Sequence, residues 1–266
     1  MPSVTVGGIA IAYVERGDPA GRPVIFLPGL GGDGRWWRPV LDHFVRPFRC
    51  ILVDPRDAGR SGRASAPYSV ADMAADVTAV ADALRLDAFD LVGFSMGGAI
   101  AQELAITEPG RVRRLVLIAT YTSGDPRGSE LFRGLAALRR RLPPAEYCRL
   151  LFPWVYTHEE YRRPGFIEET LARAAADPLW QEPEAYERQV EAAIAYCSEG
   201  RLGAVRAPAL LIFGDEDLMT PLRFARRLQH ELPEARLAVL AGTGHGLLAT
   251  RSTEVAALIE GFLGEE

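Results

Sequence analysis

Lysine and asparagine are absent from this 266-residue chain, so all 30 residues counted as lysine or arginine are arginine. Both missing amino acids are encoded by A-rich codons, and a GC-rich genome would account for their absence. Arginine-rich surfaces with few thermolabile amides also occur in some thermophilic families. The composition leaves open whether codon usage, heat adaptation or both shaped the sequence.

Cysteine is also scarce, with three residues spread far apart at positions 50, 148 and 197. An odd number at such spacings fits neither a disulfide framework nor a zinc site. Cys50 begins an apolar run, and we expect it to behave as a buried small hydrophobic residue.

Long apolar runs and basic patches are missing as well. No stretch approaches the ~20 apolar residues of a membrane-spanning helix, and the first residues, MPSVTVGG, lack the features of a secretory signal. The net charge is -5, and the densest basic run, residues 139–141, is expected to form a solvated helix face. These absences favour a cytoplasmic protein that binds neither nucleic acid nor membrane.

Short apolar runs rich in valine, isoleucine and leucine follow a predicted β-hairpin at residues 4–16. Such runs are typical of parallel strands that are buried on both faces. Helical patterns near 70–85, 97–107, 221–232 and 252–263 separate several of them. This alternation predicts an α/β fold whose parallel sheet has helices on both sides. The runs lie at residues 24–27, 50–54, 89–94, 115–119, 209–213 and 237–240.

The alternation stops between residues 121 and 204, where no strand is predicted. A structureless loop of this length would be implausible inside a compact domain. We therefore predict a helical cap at 121–204, inserted into a core formed by 1–120 and 205–266. The helical patterns within the cap lie near 129–141, 144–151, 158–176 and 183–198.

Aromatic side chains in the predicted cap can either pack against the core or line a substrate pocket. Both roles stay open for each of them. The residues that we assign to the pocket are Trp154, Phe166 and Trp180.

The candidate nucleophile is Ser95, in the G-x-S-x-G motif at residues 93–97. The motif follows an apolar strand and precedes a helical pattern, as a nucleophile elbow does. Glycines flank the serine because a Cβ at either position would collide with the strand or the helix. The turn is expected to strain the serine backbone and to expose its hydroxyl at the sheet edge.

A serine hydroxyl needs a positioned base before it can attack a carbonyl. His245 is the candidate, because it lies in a glycine-rich loop after the last predicted strand. The carboxyl ends of parallel strands meet at one edge of the sheet, so this loop is expected near Ser95. The other three histidines, predicted to be structural or at the surface, are His43, His158 and His230.

The base needs a carboxylate to fix its tautomer. Two aspartates follow the strand predicted at 209–213, and both lie at the same sheet edge as His245. Asp217 is favoured because it lies farther along the loop, whereas Asp215 is close enough to the strand to bond loop amides. The chain order serine, aspartate, histidine is also the order found in α/β-hydrolases.

Ester hydrolysis also needs donors for the oxygen that becomes negative. The backbone N–H of Met96, directly after the nucleophile, is one candidate. The N–H of Leu30, in the glycine-rich loop at 28–32, is the second. A plain glycine turn is the alternative interpretation of that loop.

These motifs resemble those of the α/β-hydrolases, and the resemblance extends over nearly the whole chain. It is strongest for the branch of small esterases, lactonases and perhydrolases, and it implies a mostly parallel eight-stranded sheet. Two positions differ from the common pattern, since Pro28 replaces a histidine and Asp57 replaces a glycine. Ser95 argues against haloalkane dehalogenases, which have aspartate at the elbow, and the absence of asparagine argues against many carbon–carbon bond hydrolases.

The expected function is hydrolysis of carboxylic esters with small to medium acyl chains, without a metal or organic cofactor. A lactonase of the enol-lactone type and a perhydrolase are the alternatives within the family. A ligand-binding receptor with little turnover is the alternative outside enzymology. The expected partner is a small ester substrate, and the sequence does not indicate the oligomeric state.

Overall fold

The computed structural model describes residues 1–232 and 234–265. Its centre is an eight-stranded sheet in the order β1-β2-β4-β3-β5-β6-β7-β8, which confirms the predicted fold class. The first two strands form the predicted hairpin and run antiparallel, whereas β3 to β8 pair in parallel. The strands are β1 Ser3–Val6, β2 Ile9–Gly17, β3 Arg22–Leu27, β4 Phe48–Val53, β5 Phe89–Phe94, β6 Val112–Ile118, β7 Ala209–Gly214 and β8 Arg236–Leu240.

Successive residues of the central strands enter two different hydrophobic cores. In β3, for example, Ile25 packs into one core and Phe26 into the other. This alternation explains why the strands read as continuous apolar runs, since both faces of the sheet are covered. Cys50 is buried in the second core, as predicted, and burial raises the pKa of its thiol to about 12.

Helices cover both faces of the sheet. Residues of α2, α3 and α9 belong to the first core, and residues of α1, α10 and α11 belong to the second. In the described part of the chain, no helix combines the length and apolar character needed to cross a membrane. The helices are α1 Arg38–Leu41, α2 Val70–Ala83, α3 Met96–Thr107, α4 Pro126–Arg139, α5 Pro144–Val155, α6 His158–Tyr161, α7 Phe166–Ala175, α8 Pro183–Ala195, α9 Leu222–Glu231, α10 Leu247–Thr250 and α11 Ser252–Leu263, with 3-10 turns at Gly34–Trp37 and Leu202–Ala204.

The segment predicted as a cap, residues 121–204, contains α4 to α8 and contributes no strand to the sheet. Its helices enclose a third hydrophobic cluster of their own. The helix predicted at 158–176 is instead two helices, because Gly165 adopts a φ of 75° after Pro164. The division of the chain into a cap and a core stays a prediction. The name cap denotes residues 121–204, and core, where it is contrasted with the cap, denotes the rest of the chain.

The basic run at 139–141 is not a uniformly solvated face. Arg139 is buried, and its guanidinium lies 3.9 Å from the ring centroid of Trp180 and donates to the Gln181 carbonyl. Burial lowers the pKa of this arginine. The expectation therefore holds for Arg140 and Arg141, which are exposed, and is wrong for Arg139.

An ion pair joins the cap to the core at Asp57, the residue that departs from the common family pattern. Asp57 is buried and has a φ of 68°, a left-handed conformation that aspartate tolerates better than most residues. Its two carboxylate oxygens accept from Nε and Nη2 of Arg188 in α8, each at 2.8 Å. The carboxylate also accepts from the Ala64 amide at 2.9 Å.

Replacing Asp57 with glycine should lower the free energy of unfolding, because glycine adopts the same φ without strain but lacks the carboxylate that pairs with Arg188. Breaking a fully buried pair typically costs 3–5 kcal/mol, and the Arg188 side chain is 23% exposed, so we expect about 2 kcal/mol. Urea unfolding measures the change. A double-mutant cycle with Arg188→Met should give a coupling free energy of at least ~1 kcal/mol, and additivity of the two substitutions would contradict the assignment.

Candidate active site

Ser95 lies in the turn between β5 and α3, with φ 54° and ψ -120°. This is the strained backbone conformation that the elbow motif predicts. The surrounding hydrogen bonds hold it: the Ser95 amide donates to the Ile118 carbonyl at 2.9 Å, and the Ser95 carbonyl accepts from Thr120 Oγ1 at 2.7 Å. A position that is fixed from both sides can retain such strain.

The glycines of the elbow are required by contacts with backbone atoms. A Cβ on Gly93 would lie 2.3 Å from the Gly97 carbonyl oxygen, and a Cβ on Gly97 would lie 2.2 Å from the Leu27 carbonyl oxygen. Neither carbonyl can move without disturbing a strand or a helix. The steric reason for the motif therefore holds in this chain.

The structure brings Ser95, His245 and Asp217 together. Nε2 of His245 lies 3.1 Å from Ser95 Oγ, and Nδ1 of the same ring lies 2.8 Å from Asp217 Oδ2. All three residues are buried. With Nδ1–H donating to the carboxylate, Nε2 is left as the acceptor for the serine hydroxyl, which is the arrangement that a general base requires.

The Asp217 carboxylate is satisfied on both oxygens. Oδ1 accepts from the amides of Met219 and Thr220, each at 2.8 Å, and Oδ2 also accepts from the Thr220 hydroxyl at 2.7 Å. Burial alone would raise the pKa of this carboxyl, but the attraction of His245 and these hydrogen bonds outweigh it, and the pKa lies below its ordinary value. Asp217 therefore stays ionised at neutral pH.

Thr220 has a role in the site that the sequence analysis missed. Its hydroxyl bonds to Asp217 and lies 3.3 Å from Nδ1 of His245. Nothing in the sequence indicated that the same hydroxyl would reach the imidazole.

The residues that competed for these positions lie elsewhere. Asp215 is 3.4 Å from the Thr243 amide, as expected of a residue near the strand end. The other histidines follow their structural predictions, since His43 contacts hydroxyls of the Ser252–Leu263 helix, His158 begins α6 and His230 lies in the last turn of α9.

The two predicted oxyanion donors line the same cavity as Ser95. Leu30 lies in the loop after β3, and Met96 is the first residue of α3. Within residues 1–232 and 234–265, neither amide has a hydrogen-bond acceptor. Both amides therefore remain available as hydrogen-bond donors, and their catalytic role stays a prediction.

The loop that carries His245 is held against the cap. The Gly246 amide donates to the Val155 carbonyl at the end of α5, at 3.1 Å. A Cβ on Gly244 would lie 2.5 Å from that same carbonyl oxygen, and one on Gly246 would lie 2.3 Å from the Tyr156 ring. The glycines on either side of the histidine are thus needed for close contact with the cap.

The cavity that Ser95 lines is bounded both by residues of the segment 121–204 and by residues outside that segment. Trp154 forms part of its wall, as predicted, and the cap helices also contribute Leu131 and Phe132. Much of the remaining wall is apolar, with charged residues Asp125, Arg127 and Arg223 also present. Asp125 and Arg223 form an ion pair, and the Arg127 guanidinium lies 5.6 Å from the Trp154 ring centroid.

Phe166 and Trp180 do not line this cavity, which corrects their assignment to the pocket. Phe166 packs edge-on against Tyr156, with ring centroids 5.0 Å apart. Trp180 packs against Arg139 and lies 5.8 Å from Tyr147, centroid to centroid. Both rings pack against the cap's own hydrophobic cluster, whereas the alternative to a pocket role had been packing of the cap onto the core.

The site contains a hydroxyl, an imidazole and a carboxylate in hydrogen-bonded sequence, and it also includes two residues whose amides have no acceptor in the described part of the chain. No group of three or more His, Cys, Asp or Glu side chains is placed to hold a metal ion in the described part of the chain. Such an arrangement can activate a serine for attack on a carbonyl carbon.

Known proteins share this architecture. Family models match at residues 22–140, for the alpha/beta hydrolase fold, and at 180–265, for TAP-like proteins. The protein "Putative carbamate hydrolase RutD" of Caulobacter sp. (strain K31) is 30% identical over 275 aligned residues, which cover 100% of this chain and 99% of that protein. The enol-lactonase from Burkholderia xenovorans LB400 has a TM-score of 0.89 at 24% identity, covering 99% of this chain and 100% of its own. The protein Est816, described as an N-acyl homoserine lactone degrading enzyme, has a TM-score of 0.83 at 28% identity, and the match covers 98% of this chain and 100% of Est816.

Proposed function

Because the chain belongs to the α/β-hydrolase superfamily and is a hydrolase, we propose that it cleaves carboxylic esters through an acyl-enzyme on Ser95. The observation that carries this proposal is the continuous chain of hydrogen bonds from Ser95 Oγ through His245 to Asp217. Strained backbone conformations persist only where the surrounding structure holds them, and they are common at active sites. The strain at Ser95 therefore supports a role for its hydroxyl as a nucleophile.

In the proposed reaction, Ser95 Oγ attacks the ester carbonyl carbon while Nε2 of His245 takes its proton. The carbonyl oxygen becomes negative and is bound by the amides of Leu30 and Met96. The carbon–oxygen bond to the alcohol then breaks, and the alcohol leaves with the proton from His245. Water, deprotonated by the same imidazole, attacks the acyl-enzyme and releases the acid, and Ser95 regains its proton.

The cavity supports substrates of small to medium size. Its wall combines apolar side chains with a few charged ones, as the pockets that bind small molecules typically do. Its apolar walls favour alkyl or aryl groups on the acyl or alcohol side. The charged residues Asp125, Arg127 and Arg223 in the wall make it less suited to a long acyl chain.

Carbamates and lactones are the second candidate substrates. The RutD relative, named as a carbamate hydrolase, is similar over the full length of this chain, and Est816, named for degrading acyl homoserine lactones, is similar at 28% identity. Both compound classes present a carbonyl to a nucleophile, so the same catalytic residues would serve. The choice between the classes depends on the cavity wall rather than on the triad.

A panel of p-nitrophenyl esters from acetate to decanoate tests the proposal, with an aryl carbamate and a homoserine lactone in parallel. We expect kcat/KM to be highest for acyl chains of about two to six carbons, and to fall for longer chains. Turnover of the carbamate or lactone without turnover of any ester would replace the ester proposal by the second candidate. A burst of product followed by near-zero steady-state turnover would instead favour a ligand receptor.

A further inference from the structure

The loop that carries Leu30 is fastened by a residue of the cap. The Gly31 amide donates to Oε1 of Gln189, at 3.1 Å. Gln189 lies in α8 and is fully buried, and its Nε2 donates to the Arg56 carbonyl at 2.8 Å. Both ends of the side-chain amide are therefore used, one on the loop after β3 and one on the loop after β4.

The loop at residues 28–32 has few internal features that restrict its conformation. Residues 28–32 include three glycines, and glycine restricts the backbone less than any other residue. Within the loop, the Gly32 amide donates to the Gly29 carbonyl at 3.0 Å. Gly31 has a φ of 75°, so the chain reverses direction directly after Leu30. An external contact at Gly31 therefore limits how far the loop can vary.

The Gly31 contact is one residue away from the predicted oxyanion donor. The peptide groups on either side of the Leu30 Cα contain the Leu30 N–H and the Gly31 N–H. When Gln189 holds the second amide, rotation about the Leu30 Cα–C bond is restricted. The free N–H of Leu30 is then kept in one orientation relative to the cavity that it lines.

We propose that Gln189 is a positioning residue for the oxyanion hole, acting from the cap through the Leu30–Gly31 peptide. This inference rests on the proposed serine-hydrolase function. A donor that is fixed in advance stabilises the transition state without reorganisation during the reaction. Loosening it should therefore reduce kcat, and it should change KM little, because the ground-state carbonyl uses the donor less.

The test compares Gln189→Met with Arg188→Met, both in the folded full-length chain. Methionine is similar in volume to glutamine and removes both hydrogen bonds, whereas Arg188 joins the cap to Asp57 and, in the described part of the chain, has no hydrogen bond to the loop at 28–32. For p-nitrophenyl butyrate we expect Gln189→Met to lower kcat about 30-fold with KM within about twofold. Arg188→Met should leave kcat within about threefold of wild type.

Butylboronic acid supplies a second measurement. It adds to a serine hydroxyl to form a tetrahedral adduct that resembles the oxyanion. Its inhibition constant should rise in Gln189→Met by about the same factor as kcat falls, since transition-state analogues depend on the same donors. A role in cap stability alone would not produce this parallel change.

Gln189→Glu keeps an oxygen opposite the Gly31 amide and loses the donor to Arg56. The kcat of Gln189→Glu should stay within about tenfold of wild type. If Gln189→Met does not fold, this variant tests the positioning role of Gln189 in its place. A loss of more than a hundredfold in Gln189→Glu would overturn the inference. So would equal losses of kcat in the Gln189→Met and Arg188→Met variants. If the wild type neither hydrolyses esters nor binds the boronic acid, the proposed function fails instead.

Discussion

Alanine in place of Ser95 is expected to lower kcat for p-nitrophenyl esters by about 10⁶-fold, as loss of the nucleophile does in known Ser-His-Asp hydrolases. The substitution removes the protein atom that, in the proposed mechanism, forms the covalent bond to the substrate. The fold should survive, because the hydrogen bonds of the Ser95 backbone to Ile118 and Thr120 do not involve the side chain that is lost. Steady-state kinetics at saturating ester measures the change.

Ser129→Ala is the matched control for this substitution. Ser129 also lines the cavity, but its hydroxyl donates to the Asp125 carbonyl at 3.0 Å, and among the described residues it has no hydrogen bond to His245. Its loss should change kcat by less than about threefold. Comparable losses in the two variants would show that cavity shape, rather than the Ser95 hydroxyl, determines the rate.

The Asp217→Asn substitution should lower kcat by about 10⁴-fold while leaving the fold intact. An amide oxygen or nitrogen at the position of Oδ2 no longer provides an ionised acceptor for Nδ1–H of His245. The imidazole is then free to adopt the tautomer that cannot take a proton from Ser95. Kinetics with the same ester, together with thermal unfolding, separates the catalytic effect from any loss of stability.

Asp215→Asn provides the comparison, since it makes the same chemical change two residues earlier. Asp215 lies near the Thr243 amide, and the structure gives its side chain no hydrogen bond to His245 among the described residues. We expect its kcat to stay within about threefold of wild type. If Asp215→Asn proved the more damaging of the two, the assignment of the acid would be wrong.

The strands and the elbow could be predicted because their causes are local. The run at 89–94 is apolar throughout since both sides of β5 are covered, and Gly93 and Gly97 are glycines because backbone atoms lie where their Cβ atoms would be. The order of the loops after successive parallel strands then places Ser95 and His245 at one edge. These inferences needed only periodicity and topology.

The contacts between the cap and the core could not be predicted in this way. Gln189 reaches Gly31 across 158 positions in sequence, and Arg188 reaches Asp57 across 131. A buried glutamine in a helix has no sequence signal that identifies its partner. The same limitation explains why Phe166 and Trp180 were wrongly assigned to the pocket. An aromatic residue gives the same sequence pattern whether it packs within the cap or faces the cavity.

The most direct test of the account is covalent labelling with an alkyl fluorophosphonate, followed by peptide mass spectrometry. An activated serine displaces fluoride from phosphorus and retains the phosphonyl group as a stable ester. We predict one adduct per chain, on the peptide that contains Ser95, with labelling abolished in Ser95→Ala and slowed in Asp217→Asn. An unlabelled wild type that still hydrolyses esters, or an adduct on a different residue, would contradict the assignment of Ser95 as the nucleophile.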